Sequence, residues 1–185
     1  VRVIAGLYRG RRLVAPPGLD TRPTSDRVRE ALFSSLGPLP GAVVADLYAG
    51  TGALGIEALS RGAERAVFVE DSRPALTALR KNLETLDLLG KTRVIALPVA
   101  RAAASLLREG PYHLVFVDPP YADLGEVPKL VEALLAGAGI VPGGRVVVEH
   151  ARKDPAPPIA GLDLRSTRGY GTTAVSYYVR SAEPA

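Results

Sequence analysis

Asp118-Pro119-Pro120-Tyr121 closes the apolar run Leu114-Val115-Phe116-Val117 and places a carboxylate, a carbonyl and an aromatic ring side by side. Neither proline has an N–H, so beside Asp118 the segment offers acceptors only. A flat exocyclic amine has two protons to give. If Asp118 and the Pro119 carbonyl accept them, the nitrogen lone pair is turned out of conjugation and aimed at an electrophilic carbon. Tyr121 then stacks on the ring that carries the amine. The chemistry implied is an in-line group transfer, driven mainly by positioning and electrostatics. The catalytic candidates are therefore Asp118, Pro119, Pro120 and Tyr121.

Two other apolar runs end in acids, Asp46 and Glu70. Gly50, Gly52 and Gly55 form a G-x-G-x-x-G turn after the first run, and Glu70 lies twenty residues beyond Gly50. A carboxylate at that place can accept both hydroxyls of a ribose. The turn suits either a nicotinamide dinucleotide or S-adenosylmethionine. A dinucleotide brings a pyrophosphate, which an acid just before the glycines would repel. S-adenosylmethionine has no phosphate and carries an ammonium and a sulfonium, so Asp46 favours the methyl donor. The plain alternative for Asp46 is a hydrogen bond to the loop backbone. The expected cofactor contacts are Asp46, Tyr48, Ala49, Gly50, Thr51, Gly52, Glu70 and Asp71.

These acids need strand ends to hold them. Strand-like and helix-like segments alternate from Ala42: Val43–Leu47, Ala53–Arg61, Ala66–Glu70, Pro74–Leu89, Val94–Leu97, Ala100–Arg108, Leu114–Val117, Glu126–Ala136 and Arg145–Glu149. That order predicts an α/β fold, Rossmann-like, with a mostly parallel sheet whose ligands sit beyond the carboxyl ends of its strands. Leu162–Thr167 and Val175–Val179 predict an antiparallel hairpin at one edge, giving seven strands. Before this domain, Val1–Pro17 reads as a basic hairpin turning at Arg9-Gly10-Arg11-Arg12, and Ser25–Leu36 as a helix. The expected division is a basic N-terminal arm and helix, residues 1–40, and a catalytic domain, residues 41–185.

The chain has 185 residues, 47% of them hydrophobic, enough to bury a core. With no Cys and two scattered His, it offers no zinc, iron–sulfur or haem ligand set, and no Cys nucleophile for attack at a ring carbon. No metal, no disulfide and no membrane span are expected, and the reading is of a soluble, cytoplasmic monomer. The net charge of +4 is uneven: Val1–Arg29 holds seven Arg against two Asp, and the remainder sums to about −1. A basic segment on a near-neutral domain suggests a polyanion gripped at one end. Arg9, Arg11, Arg12, Arg22, Arg27 and Arg29 are the candidate phosphate contacts. With three Phe and no Trp, extensive base stacking is not expected.

Asp46–Gly52, Glu70 and Asp118–Tyr121 resemble the motifs of class I amino-methyltransferases. Arg22-Pro23-Thr24, Asp26–Phe33, Tyr170-Gly171 and Ser176-Tyr177-Tyr178 are similar to those of the bacterial RsmD family, so the likeness spans nearly the whole chain. It implies a 16S rRNA (guanine-966-N2)-methyltransferase that uses S-adenosyl-L-methionine and acts on rRNA or a partly assembled small ribosomal subunit. By resemblance, Glu70 would bind the ribose, Asp46 and the Gly loop the methionine part, and Asp118–Tyr121 the guanine amine. The chain departs from many relatives after the third strand. Pro98-Val99-Ala100-Arg101 has no acid or amide for the adenine amine, which leaves that contact to the backbone. Rival readings are an adenine-N6 DNA methyltransferase, a nicotinamide-dependent oxidoreductase built on Gly50–Gly55, and a non-catalytic ribosome assembly factor.

Overall fold

The computed structural model describes residues 1–16 and 26–181. After helix α1 (Asp26–Leu36), strands and helices alternate: β1 (Val43–Leu47), α2 (Ala53–Ser60), β2 (Arg65–Val69), α3 (Arg73–Thr85) and β3 (Thr92–Ile95). Then come α4 (Ala103–Glu109), β4 (Tyr112–Val117), α5 (Val127–Ala136), β5 (Ile140–Ala151), β6 (Leu162–Tyr170) and β7 (Thr173–Arg180). One seven-stranded sheet runs β3-β2-β1-β4-β5-β7-β6. The first five strands are parallel, and β7 pairs antiparallel with both β5 and β6. The strand order reverses between β1 and β4, and at such a switch point the loops diverge and open a crevice.

The period-two pleat divides the core in two. Val44, Ala66, Phe68, Leu114 and Phe116 point to the side that carries α1, α2 and α3. Ala45, Leu47, Val67, Val69, Val115 and Val117 point to the side that carries α4 and α5. Strands buried on both faces explain the unbroken apolar runs of the sequence. On the first side Phe33 of α1 meets Phe116 of β4, ring centroids 5.5 Å apart, and the Arg61 guanidinium lies over the Phe33 ring, 4.9 Å from its centroid.

Several element boundaries differ from the sequence expectation. Helix α3 stops at Thr85 rather than Leu89, because Asp87 adopts a left-handed backbone (φ 54°) and the Leu88 N–H turns back to the Leu83 carbonyl. Residues Val99–Arg101 form a separate 3-10 turn, which delays α4 to Ala103. Strand β5 begins five residues early, at Ile140. Pro142-Gly143-Gly144 reads as a break in sequence, yet is absorbed as a register shift against β4.

The N-terminal hairpin forms as Arg2 pairs with Arg12, but its turn runs over residues 5–10 rather than 9–12. Its inner side chains Val3 and Leu13 are buried in the same core as α1, α2 and α3. Three polar side chains hold its backbone to the sheet domain. Glu57 of α2, fully buried, accepts the N–H groups of Ile4 (2.7 Å) and Ala5 (3.0 Å) and the Nε–H of Arg61 (2.7 Å). Ser60 Oγ accepts from Tyr8 N–H and donates to the Ala5 carbonyl. Asn82 of α3 exchanges two hydrogen bonds with Val14 and donates to the Thr51 carbonyl.

Removing the Glu57 carboxylate leaves two backbone donors and a guanidinium without their acceptor. Glu57→Ala should therefore destabilise the protein by about 3–5 kcal/mol, the scale for breaking a buried charge pair. Urea denaturation measures the loss, and trypsin should cut the hairpin faster in the variant than in the parent.

Candidate active site

A cleft of about 730 Å³ crosses the carboxyl ends of the parallel strands, a size typical of small-molecule sites. Asp46 (β1), Glu70 (after β2) and Asp118 (after β4) all line it, with Tyr48, Ala49, Gly50 and Thr51 of the first loop and Asp71 and Ser72 of the second. Pro119, Pro120 and Tyr121 enter from the β4 side, and Pro98, Val99 and Ala100 close the β3 end. The structure thus brings together every catalytic and cofactor candidate except Gly52, which lies buried just behind the loop.

Gly52 and Gly55 are needed for reasons of space. A Cβ on Gly52, which sits at φ 81°, would lie 2.4 Å from Leu79 Cδ1, and one on Gly55 would lie 2.4 Å from Phe68 Cε1. With no side chains in the way, α2 packs directly on β2 and its first turn faces the cleft. Tyr48 takes a left-handed backbone at φ 61°, a costly conformation for an aromatic residue. Its ring packs against the α4–α5 side of the core.

The acids hold this loop as well as line the cleft. Asp46 is 1% exposed, and its Oδ2 accepts the Gly55 N–H at 2.8 Å, so the loop hydrogen bond weighed from sequence is present. Glu70 Oε2 accepts the Gly50 N–H at 2.7 Å, while Oε1 accepts those of Asp71 (2.9 Å) and Ser72 (2.8 Å). One carboxylate thereby fixes both loops relative to each other. Each carboxylate oxygen can accept more than one bond, so these contacts leave capacity for a ligand hydroxyl.

Among the described residues, Asp123, Glu126 and Glu149 bring the lining carboxylates to seven, with Asp46, Glu70, Asp71 and Asp118. Arg29 is the one Lys or Arg side chain among the described residues of the lining. Burial lifts the Asp46 carboxyl to about 8; the Gly55 N–H opposes the shift, and the charges of Asp118 and Glu70 add to it. Burial first, then Asp123, Glu126 and Asp71, pushes the Tyr48 phenol up to about 12. Such a cleft attracts cations and repels a pyrophosphate.

Sequence reasoning did not place three acids, Asp123, Glu126 and Glu149, in the site. Asp123 and Glu126 lie on a 3-10 turn, Tyr121–Glu126, so the helix expected from Glu126 begins one residue later, at Val127. Glu149 and His150 form the wall at the end of β5. The His150 Nδ1–H donates to the Ala151 carbonyl at 3.0 Å and its Nε2 bonds Ser176 Oγ at 2.8 Å, a structural role. Arg29, grouped by sequence with the surface arginines, is 1% exposed. The signal was available: Arg29, Leu32, Phe33 and Leu36 follow the i, i+3, i+4, i+7 spacing of a buried helix face. Arg9, Arg11, Arg12 and Arg27 are exposed, and Arg22 lies outside the described residues.

The Asp46 shift has a definite pH consequence. Its carboxyl binds a proton more tightly folded than unfolded, so the stability it contributes is complete below its ordinary value of 3.8 and is lost as pH rises through about 8. Asn at this position still accepts the Gly55 N–H but does not ionise. The stability of Asp46→Asn relative to the parent should therefore increase from about pH 4 to about pH 8, as read by denaturant titrations of the ligand-free protein at each pH. A constant difference would show that Asp46 does not titrate in this range.

The profile of the family described as "Conserved hypothetical protein 95" matches residues 1–179. The "Ribosomal RNA small subunit methyltransferase D" of Escherichia coli is 37% identical over 186 residues, covering 99% of this chain and 91% of that protein. A hypothetical protein of Thermus thermophilus superposes with a TM-score of 0.79 at 32% identity, over 96% of this chain and 98% of that one. An RNA methyltransferase of Salinibacter ruber, solved in complex with S-adenosyl-L-homocysteine, shares the fold, with a TM-score of 0.65 at 19% identity over 88% and 96% of the two chains. A match across nearly the full length, joined to that identity, makes this chain a member of the Conserved hypothetical protein 95 family, the RsmD family whose signature its sequence carries.

Proposed function

We propose that this protein transfers the methyl group of S-adenosyl-L-methionine to the exocyclic N2 amine of a guanine, guanine 966, in bacterial 16S rRNA. The observation that carries this reading is that Asp118-Pro119-Pro120-Tyr121 opens into the same acid-lined cleft as Asp46 and Glu70. The name of the Escherichia coli relative supports small-subunit rRNA as substrate, and the Salinibacter ruber complex supports the cofactor. The seven carboxylates suit a ligand with a sulfonium and an ammonium, and disfavour a dinucleotide.

When bound, the cofactor supplies an electrophilic methyl on a positively charged sulfur. The protein supplies the rest by position. Glu70 accepts the ribose hydroxyls with the oxygen capacity that its three backbone N–H bonds leave. Asp46 and the Tyr48–Gly52 loop face the methionine part, and Asp71 stands beside Glu70 at the nucleoside end. The backbone of Pro98–Ala100 takes the adenine edge. Asp118 and the Pro119 carbonyl accept the two amine protons, and Asp118 is placed to take the proton that nitrogen loses after transfer. Tyr121, 58% exposed at the rim, presents its ring to an incoming base without a buried cavity having to open.

Residues 1–40 supply RNA contact and residues 41–185 carry the transfer. Arg9, Arg11, Arg12 and Arg27 present exposed guanidiniums for phosphates, and Arg22 belongs to the same basic stretch of sequence. The partner is 16S rRNA or a partly assembled small subunit in the cytoplasm. Among the described residues no helix is long and apolar enough to cross a membrane, and no acid or His cluster could hold a metal.

Digestion of the methylated RNA to nucleosides, followed by mass spectrometry, tests the proposal. N2-methylguanosine supports it, and N6-methyladenosine made on duplex DNA overturns it. Asp118→Ala should lower turnover by a factor on the order of 10² to 10⁴, with cofactor affinity nearly unchanged, because a positioned polar group is lost from the amine alone. Parallel loss of cofactor binding in calorimetry would place Asp118 in the cofactor site instead.

The RNA role of the hairpin has its own readout. Changing Arg9, Arg11 and Arg12 together to Ala should reduce the slope of log affinity against log salt by about 2, at roughly 0.7 per phosphate on single-stranded RNA. An unchanged slope and affinity would make these arginines solvated surface only.

A further inference from the structure

Arg29 is a buried cation with unused donors. Its Nη2 donates to the Arg2 carbonyl at 2.6 Å and to Asp26 Oδ1 at 2.7 Å. Its Nε and Nη1 have no hydrogen-bond partner among the described residues, although the side chain is 1% exposed. Leaving guanidinium donors unmet in a protein interior is expensive, so such a group in a native structure calls for a water, an ion or a ligand as partner. The side chain lines the cleft together with Thr51, Ala53 and Leu54, the residues that open α2. The first N–H groups of that helix have no partner within it, and Asp46 takes only that of Gly55.

A guanidinium and a helix N-terminus together make an anion site, set inside a cleft whose other charged side chains, among the described residues, are acids. The ligand that fits is small, enters the cleft, and carries one negative group beside positive ones. An RNA phosphate is a poor match, since the backbone would have to follow its charge past seven carboxylates to reach donors with almost no exposure. We propose that Arg29, with the opening turn of α2, holds the α-carboxylate of S-adenosylmethionine, while the acids of the cleft hold its ammonium and sulfonium. The proposal rests on the cofactor reading above and replaces the phosphate role that sequence suggested for this residue. It makes Arg29 a cofactor-binding residue supplied by the N-terminal segment, so the arm and the transfer domain build one site.

Calorimetry on the full chain without RNA tests this with two probes, S-adenosylmethionine and its decarboxylated form, which lacks only the carboxylate. Arg29→Met should weaken S-adenosylmethionine roughly 10- to 100-fold, the range for losing charge-assisted bonds. The decarboxylated probe should bind parent and variant equally, and Arg29→Lys should regain part of the affinity for S-adenosylmethionine alone. Equal weakening of both probes would make Arg29 merely structural, and no weakening of either would remove it from the cofactor site; each result overturns the proposal. If Arg29→Met does not fold, the parent decides, since a parent that binds both probes equally tightly has no carboxylate site. A parent that binds neither probe contradicts the cofactor reading itself, a distinct failure.

Discussion

The turn from β1 into α2 is the constraint on which the remaining site geometry depends. Gly55 must pass so close to Phe68 that no side chain fits, and Gly52 must pass equally close to Leu79. That proximity brings the Gly55 N–H to the Asp46 carboxylate and the Gly50 N–H to Glu70, so two strand-end acids clamp one loop. Glu70 also holds the loop that follows β2. A single side chain thus sets the spacing between two loops that line the cleft. Preorganisation of this kind reduces the ordering that binding would otherwise require.

The same acids create an electrostatic problem that a cationic ligand relieves. Asp46 neighbours Phe68 and Phe116 in the strand register, and its carboxyl is desolvated by burial. Its ionised form gains one backbone hydrogen bond but faces the charges of Asp118 and Glu70. A sulfonium and an ammonium would reverse that balance, because opposite charges at short range in a poorly solvated cleft interact strongly. Methyl transfer removes the positive charge from sulfur. A cleft lined with acids would hold the charged form of such a ligand more tightly than the neutral form.

The N-terminal hairpin is tied into this arrangement. Its inner residues share the core of α1, α2 and α3, and Glu57, Ser60 and Asn82 supply acceptors and donors that its short pairing leaves unmet. Asn82 bonds both Val14 and the Thr51 carbonyl, so the segment leaving the hairpin and the glycine loop of the cleft share one side chain. Exposed arginines on the hairpin and the loop in the cleft are linked by short, partly buried hydrogen bonds. A polyanion gripped by those arginines would thereby be held at a set position relative to the cleft.

The sequence by itself determined the parallel sheet, its antiparallel edge and the strand ends that carry Asp46, Glu70 and Asp118. Those features follow from local rules: apolar runs buried on both faces, helical spacing between them, and glycines where a turn must be tight. Tertiary structure decided what depends on partners distant in the chain. Pro142-Gly143-Gly144 reads as a break, but pairing with β4 carries β5 through it. Asp123, Glu126 and Glu149 join the cleft only because the loops after β4 and the end of β5 converge there. Arg29 shows the difference most plainly. Its charge and its place among seven N-terminal arginines suggest a surface contact, whereas it shares the buried face of α1 with Leu32 and Phe33 and bonds the hairpin backbone at Arg2. Composition gives the charge of a side chain; which face of its helix is buried, and what waits there, is fixed by the rest of the fold.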